Sequence, residues 1–150
     1  ADIAYRMLFN EKCPSWLYEV KQGATTIWER WDGLDENGEC PIGDDGTDMM
    51  ISYNHYASGA VGDFMYRRIA GIEMTEPGYR HFRIKPVMDN RISSARGSVE
   101  TPYGEIVSDW KMDSGRFTIH VHVPVGTECR LELPDGSVER LTGGSYERNL

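Results

Sequence analysis

The stretches 117–123, FTIHVHV, and 128–133, ECRLEL, alternate apolar and polar side chains and decide the fold of the second half of the chain. A period of two places successive side chains on opposite faces of a β-strand. The same period occurs in 82–85, FRIK. Three turn signals separate such runs: TPYG at 101–104, DSG at 113–115 and PDG at 134–136. Short strands divided by turns predict an antiparallel sandwich or meander over residues 81–150.

The first half of the chain has helical spacing instead. Apolar residues recur every three to four positions in 3–8 and again in 16–20. A third helix is predicted from the apolar residues between Tyr56 and Ile72, with Asn54 as its cap and Gly71 at its end. Because helices precede strands, we expect an α+β fold of two units, 1–80 and 81–150.

Composition excludes several classes of partner. The 150 residues contain 16 Lys and Arg against 24 Asp and Glu, a net charge of -8, which repels nucleic-acid phosphates. The apolar runs are much shorter than the roughly 18 residues of a membrane helix, so neither nucleic acid nor a membrane is an expected partner. Three widely spaced cysteines indicate neither a zinc site nor a disulfide framework.

The segment 32–48, DGLDENGECPIGDDGTD, holds seven carboxylates, four glycines and no basic residue, and it is predicted to be a loop. Its oxygen atoms suit calcium, but the EF-hand spacing is absent and such loops usually stay in water. His120 and His122 lie two apart on a predicted strand and face the same way, yet no third ligand accompanies them. No metal or cofactor site is predicted.

The densest group of candidate functional residues surrounds Glu29, which lies between Trp28 and Trp31. Aromatic rings stack on sugar rings and carboxylates move protons, so this group suits carbohydrate chemistry. The alternative is a buried tryptophan pair with Glu29 held in an ion pair by Arg30 or another base. His55, beside Asn54, points into a pocket in one interpretation and is structural in the other.

Four long motifs, in order along the chain, resemble one known family. They are PSWLYEVKQGATTIWERWDG at 14–33, SYNHYASGAVGDFMYRRIAGI at 52–72, PGYRHFRIKP at 77–86 and TPYGEIVSDWK at 101–111. Together they resemble the C-terminal part of bacterial α-L-rhamnosidases of glycoside hydrolase family 78. The resemblance implies that 1–80 are the last helices of an (α/α)6 barrel and that 81–150 are the β-sandwich that follows it.

By the same resemblance, the complete protein is an inverting hydrolase that releases terminal α-L-rhamnose from glycosides or polysaccharides. Glu29 of the TTIWE motif is similar to the general base of the family. Trp28 and Trp31 are expected to shape the sugar pocket, and His55 of the NHY motif to contact rhamnose hydroxyls with support from Asn54. The resemblance implies no cofactor.

The general acid of the family lies upstream of these motifs, so the isolated chain is expected to be inactive. Its partners would be a rhamnose-containing glycan and the upstream part of the same polypeptide, and its exposed helix faces could also self-associate. An extracytoplasmic location is implied by resemblance alone. Two alternatives stay open: a non-catalytic carbohydrate-binding or accessory module, and a purely structural tail.

Overall fold

In the computed structural model, which describes residues 2–150, the chain divides into two compact units. One extends to Val61 and the other spans Gly62–Leu150. The helices are α1 (Asp2–Leu8), α2 (Trp16–Lys21) and α3 (Val61–Phe64), which continues as a π-helix over Met65–Ala70. The strands are β1 (Ile72–Met74), β2 (His81–Ile84), β3 (Ser94–Thr101), β4 (Gly104–Asp113), β5 (Arg116–Glu132) and β6 (Val138–Asn149). A 3-10 turn covers Pro77–Tyr79.

The first unit consists of two short helices and long loops. Ser15 caps α2 because its Oγ accepts a hydrogen bond from Tyr18 N–H at 3.0 Å. Gly23 follows the helix in the left-handed conformation, φ 88°, which ends it. The acidic segment 32–48 is a loop, as predicted, held by turns and one isolated bridge between Ile42 and Asp48.

The predicted third helix is shorter than expected and begins later. Residues 54–56 are not helical, Tyr56 is 88% exposed, and α3 starts only at Val61. Asn54 therefore does not cap a helix. The reason is a tertiary contact: His55 N–H donates to Ile27 O at 2.8 Å and draws this backbone into the loops.

The other end of this helix was predicted correctly in part. Gly71, in the left-handed conformation with φ 83°, ends it as expected. Ile72 is not on the helix, because it pairs with Ile84 as the first residue of β1. No helix among residues 2–150 is both long and apolar enough to cross a membrane.

The long strand β5 organises the sheet of the second unit. β6 pairs antiparallel with β5 along one edge, with an irregularity between Val123 and Glu128. On the other edge, β4 pairs antiparallel with the first part of β5, and β2 pairs parallel with the last part. The prediction of a wholly antiparallel arrangement is thus wrong for β2. The chain between β2 and β5 forms β3 and β4, which gives it room to cross over and enter β5 in the parallel sense.

The apolar side chains on one face of these strands pack together into one core. Its fully buried members on β2, β4 and β5 include Phe82, Ile84, Ile106, Trp110, Ile119, Val121, Val123, Cys129 and Leu131. The π-helix is fastened to this core, since Trp110 Nε1 donates to Ile69 O and Ser108 Oγ donates to Ala70 O, both at 2.7 Å. The division into a barrel part, 1–80, and a sandwich part, 81–150, stays a prediction.

Candidate functional site

Backbone hydrogen bonds bring the two candidate motifs of the first unit side by side. Glu29 N–H donates to Ser52 O at 2.9 Å, and His55 N–H donates to Ile27 O at 2.8 Å. The two segments therefore run antiparallel, and the Thr26 hydroxyl, which donates to Tyr53 O, adds a third tie. Glu29 and His55, from separate parts of the sequence, consequently lie in one neighbourhood.

The Glu29 carboxylate is exposed, and no basic side chain among residues 2–150 forms a salt bridge with it. Its Oε2 accepts a hydrogen bond from Ser52 N–H at 2.9 Å, and its Oε1 has no partner among residues 2–150. Arg30 instead forms a two-pronged pair with Asp32, at 3.0 Å and 2.9 Å, and this hydrogen bonding holds the pKa of Asp32 below its usual range. Arg30 thus forms its ion pair with Asp32 and not with Glu29, and Glu29 Oε1 makes no hydrogen bond in the described part of the chain.

The two tryptophans differ in exposure. Trp28 is only 4% exposed and meets Tyr53 edge to face, with ring centroids 5.2 Å apart. Trp31 is partly exposed and meets Trp16 edge to face at 5.0 Å. Trp28 thus supports the backbone behind Glu29 from the interior, whereas Trp31 presents some of its surface to solvent.

The ring of His55 is fixed by its neighbours. Its Nδ1 accepts a hydrogen bond from Ala57 N–H at 3.0 Å, and the ring stacks on Tyr56 with centroids 5.1 Å apart and planes at 11°. Because a neutral imidazole with Nδ1 as acceptor carries its proton on Nε2, His55 presents an N–H donor there. Asn54 is exposed, and its backbone N–H donates to Ser52 Oγ at 3.3 Å.

Glu19 is a carboxyl group that the sequence analysis missed. It lies on α2, is 2% exposed, and accepts a hydrogen bond from Trp28 N–H through Oε2 at 3.3 Å. Its Oε1 is buried with no hydrogen-bond partner in the described part of the chain. Burial raises the pKa of Glu19, and the bond from Trp28 N–H opposes that rise. The available signal was helical spacing, since Glu19 lies three residues after Trp16 and so on the same helix face.

A cleft of about 260 Å³ opens between α2 and the segment that precedes Trp28. Trp16 and Glu19 form one wall, and Thr25, Thr26 and Ile27 form the other. Glu29 is not part of its lining. The cleft therefore lies on the helix side of the strand-like segment that carries Glu29.

The two strand histidines lie on the exposed face of the second unit. His120 pairs with Glu147 at 3.0 Å, and His122 Nδ1 lies 2.8 Å from Ser145 Oγ. Both line a shallow groove of about 440 Å³ with Arg96 and Asp109. Across residues 2–150, no group of three or more His, Cys, Asp or Glu side chains is arranged to hold a metal ion.

Family models match both parts of the chain. Residues 1–69 match the bacterial alpha-L-rhamnosidase 6 hairpin glycosidase domain, and residues 71–148 match the bacterial alpha-L-rhamnosidase C-terminal domain. These two domains belong to glycosidases. The chain belongs to the bacterial α-L-rhamnosidase family.

Individual relatives agree with this assignment. An alpha-L-rhamnosidase of Formosa agariphila is 41% identical over 141 residues, which is 93% of this chain and 15% of the relative. One from Streptomyces avermitilis is 38% identical over 149 residues, 98% of this chain and 14% of the relative. The chain thus spans about 15% of the length of the relatives it matches, as a C-terminal portion of larger proteins.

Solved structures have the same fold. The native α-L-rhamnosidase of Aspergillus terreus has a TM-score of 0.88 at 36% identity, over 97% of this chain and 17% of that one. The Streptomyces avermitilis α-L-rhamnosidase, complexed with L-rhamnose, has a TM-score of 0.84 at 33% identity, over 99% of this chain and 16% of that one. Both likenesses cover the two units of this chain.

Proposed function

We propose that this chain is the C-terminal part of an inverting α-L-rhamnosidase of glycoside hydrolase family 78, with Glu29 as its general base. The observation that carries the proposal is the exposed Glu29 carboxylate, which has a partner on Oε2 and none on Oε1 among the described residues. Membership of the family supports the substrate class, and the Streptomyces avermitilis relative was crystallised with L-rhamnose.

The reaction requires one proton to leave water and another to reach the departing oxygen. Glu29 Oε1 removes a proton from a water molecule while that water's oxygen bonds to the anomeric carbon. The bond from this carbon to the aglycone oxygen breaks on the opposite face, and a general acid protonates that oxygen. The two carboxyl groups of such an enzyme stand roughly 6.5–9.5 Å apart, which leaves room for the water.

The other candidate residues would hold the sugar. His55 Nε2–H would donate to a rhamnose hydroxyl, and the fixed ring gives that donor a set direction. Asn54, in the same exposed turn, would support this contact. The exposed part of Trp31 would pack on an apolar sugar face, while Trp28 would shape the pocket from behind. The mechanism uses no metal ion and no cofactor.

The general acid would come from the upstream part of the same polypeptide, together with the rest of an (α/α)6 barrel. Apolar side chains in the first unit are exposed in this chain, among them Ile3, Met7 and Val20. Barrel helices from upstream would cover them, which also makes self-association of the isolated chain an expected outcome. Without the general acid, the isolated chain would be inactive.

The test is a Glu29→Gln variant of the complete enzyme, assayed with an aryl α-L-rhamnoside. We expect kcat to fall by about 10²- to 10⁴-fold with little change in KM, because the amide cannot accept the water proton. Glu36→Gln is the matched control, since Glu36 is an exposed carboxylate in the acidic loop and should have no effect.

A second variant separates a base from a binding group. In Glu29→Ala, added azide should restore turnover and form the inverted rhamnosyl azide, because azide attacks without losing a proton. Near-normal kcat in Glu29→Gln would remove Glu29 from the mechanism. Calorimetric titration with rhamnose tests the alternative function, a non-catalytic accessory module. Binding without hydrolysis by both this chain and the longer protein would favour that alternative.

A further inference from the structure

The buried carboxyl group of Glu19 has no part in the reaction described above. Glu19 is on α2, whose start is fixed by the Ser15 cap, so its backbone position is well defined. A buried carboxyl costs free energy unless it is hydrogen-bonded, and here one of its two oxygens has no partner among residues 2–150. A contribution to stability therefore does not explain why a carboxyl group occupies this buried position.

Among residues 2–150, the one hydrogen bond of the Glu19 side chain is with the residue before Glu29. Glu19 Oε2 accepts from Trp28 N–H, and the next peptide N–H, of Glu29, donates to Ser52 O. Successive N–H groups of an extended chain point in opposite directions. The peptides on either side of the Trp28 Cα are therefore held from two sides, by the helix and by the segment that contains His55.

We propose that Glu19 is a positioning residue for the reaction: by holding the Trp28 N–H, it sets the location of the Glu29 carboxylate relative to the attacking water. This inference rests on the proposed role of Glu29 as the general base. A hydrogen-bond acceptor is what the position requires, because an apolar side chain would leave the buried Trp28 N–H unsatisfied and free to shift. An amide oxygen would serve as well as a carboxylate.

The experiment compares variants of the complete enzyme with an aryl α-L-rhamnoside. Glu19→Leu removes the acceptor, and we expect kcat to fall about 10- to 100-fold with KM within about threefold, because a displacement near 1 Å is costly for a catalytic group. Glu19→Gln keeps an acceptor and should retain kcat within about threefold. Tyr18→Phe is the matched control, since it removes the 2.9 Å bond from the same helix to Leu34 O.

A double-mutant cycle distinguishes positioning from stability. In the Glu29→Gln background, Glu19→Leu should cost less than about threefold, because the group that it positions no longer acts. An equal loss in both backgrounds would overturn the proposal and assign Glu19 to stability. Glu19→Met is the second apolar variant, and failure of both apolar variants to fold would overturn the proposal in the same way.

The outcomes also separate this inference from the proposed function. If Glu29→Gln is inactive while Glu19→Leu has a normal kcat, only the inference is overturned. If Glu29→Gln is active, the proposed base is wrong, and the role of Glu19 is overturned with it.

Discussion

The two compact units maintain their structures by different means. The unit from Gly62 to Leu150 has one continuous core, built from the alternating side chains of its strands. In the described part of the unit that ends at Val61, the buried apolar side chains are Tyr5, Tyr18 and Trp28. Its loops are held largely by caps and turns, for example by the Asp35 and Asp45 carboxylates, whose pKa values backbone and side-chain hydrogen bonds keep below the usual range.

The candidate site lies in the unit with the smaller core. Glu29 and His55 are held by polar contacts, with Glu19 and Ser52 as the main anchors. Polar contacts of this kind fix direction but contribute little free energy each, roughly 1 kcal/mol. We infer that the core of the sheet unit is sufficient to hold its structure. The geometry of the candidate site depends instead on a few hydrogen bonds and on the burial of the apolar side chains around them.

Thiol labelling would reveal the largest difference between the units. Cys13 is exposed and Cys40 is partly buried in the first unit, whereas Cys129 is fully buried in the core of the second, where burial raises its pKa to about 12. We expect Cys129 to react about 10³- to 10⁴-fold more slowly than Cys13, because it must wait for unfolding of the sheet. Mass spectrometry at timed intervals measures the three rates.

The control is the same labelling in concentrated guanidinium, where all three thiols should react at similar rates. Equal rates for Cys129 and Cys13 under native conditions would contradict the proposed contrast, because the sheet would then lack a protecting core.

A substitution at Gly71 should destabilise the second unit and so reduce the difference in labelling rate between Cys129 and Cys13. Gly71 has φ 83°, and a Cβ there would lie 2.4 Å from Pro86 N and 2.6 Å from the Lys85 carbonyl carbon. Gly71→Ala should therefore cost about 3 kcal/mol or more of the free energy of unfolding, since it combines a strained backbone with a clash against main-chain atoms. The protection of Cys129 from labelling should fall accordingly.

Gly136→Ala is the matched control for this prediction. Gly136 has φ 88°, but a Cβ at this position meets nothing within 4 Å. It should cost only the backbone strain, roughly 1–2 kcal/mol. Equal losses in the two variants would mean that the close approach of Lys85 and Pro86 to Gly71 adds no cost beyond the backbone strain.

The local features of the second unit could be predicted from the sequence, because alternation and turn residues are local. The side chains from Phe117 to Val123 alternate as expected, and the turns at 101–104, 113–115 and 134–136 separate β3, β4, β5 and β6. Long-range pairing could not be predicted. Nothing within 81–84 indicates that this strand pairs parallel with 128–131, and a run with an irregularity after Val123 looks like two strands rather than one.

The site was harder to predict because its contacts are tertiary. The pattern around Glu29 allowed either a catalytic carboxylate or an ion pair, and the choice depended on whether Arg30 would pair with Asp32 instead. The late start of α3 follows from the bond between His55 and Ile27, which no local signal encodes. The assigned roles of Glu29, Trp28, Trp31, Asn54 and His55 stay predictions.

Lowering the pH should change the stability contributions of two carboxyl groups, one in each unit, in opposite directions. Glu73 accepts a hydrogen bond from Arg83 and lies 3.8 Å from both Arg67 and Arg68, and the bond from Arg83 is the main cause that lowers its pKa. Its folded pKa lies below the unfolded value, so it contributes stability above that unfolded value and loses it as the pH falls through the folded pKa. Glu73→Gln should cost about 0.5–1 kcal/mol at pH 7 and almost nothing at pH 2.

Glu19 has the reverse sign, because burial raises its pKa above the unfolded value. Its carboxyl favours the folded state below the unfolded pKa, and this advantage is lost as the pH rises through the folded pKa. Raising the pH should therefore shift the stability difference between Glu19→Gln and the parent in favour of the variant, whereas it should shift the Glu73→Gln difference against the variant. Unfolding curves from pH 2 to pH 8 measure both differences, with hydrogen exchange of peptides before Gly62 reporting the first unit and of peptides from Gly62 onward reporting the second. If the two stability differences change with pH in the same direction, the Glu19 carboxyl is hydrated. Glu19 would then not be the buried hydrogen-bond acceptor that we propose positions Glu29.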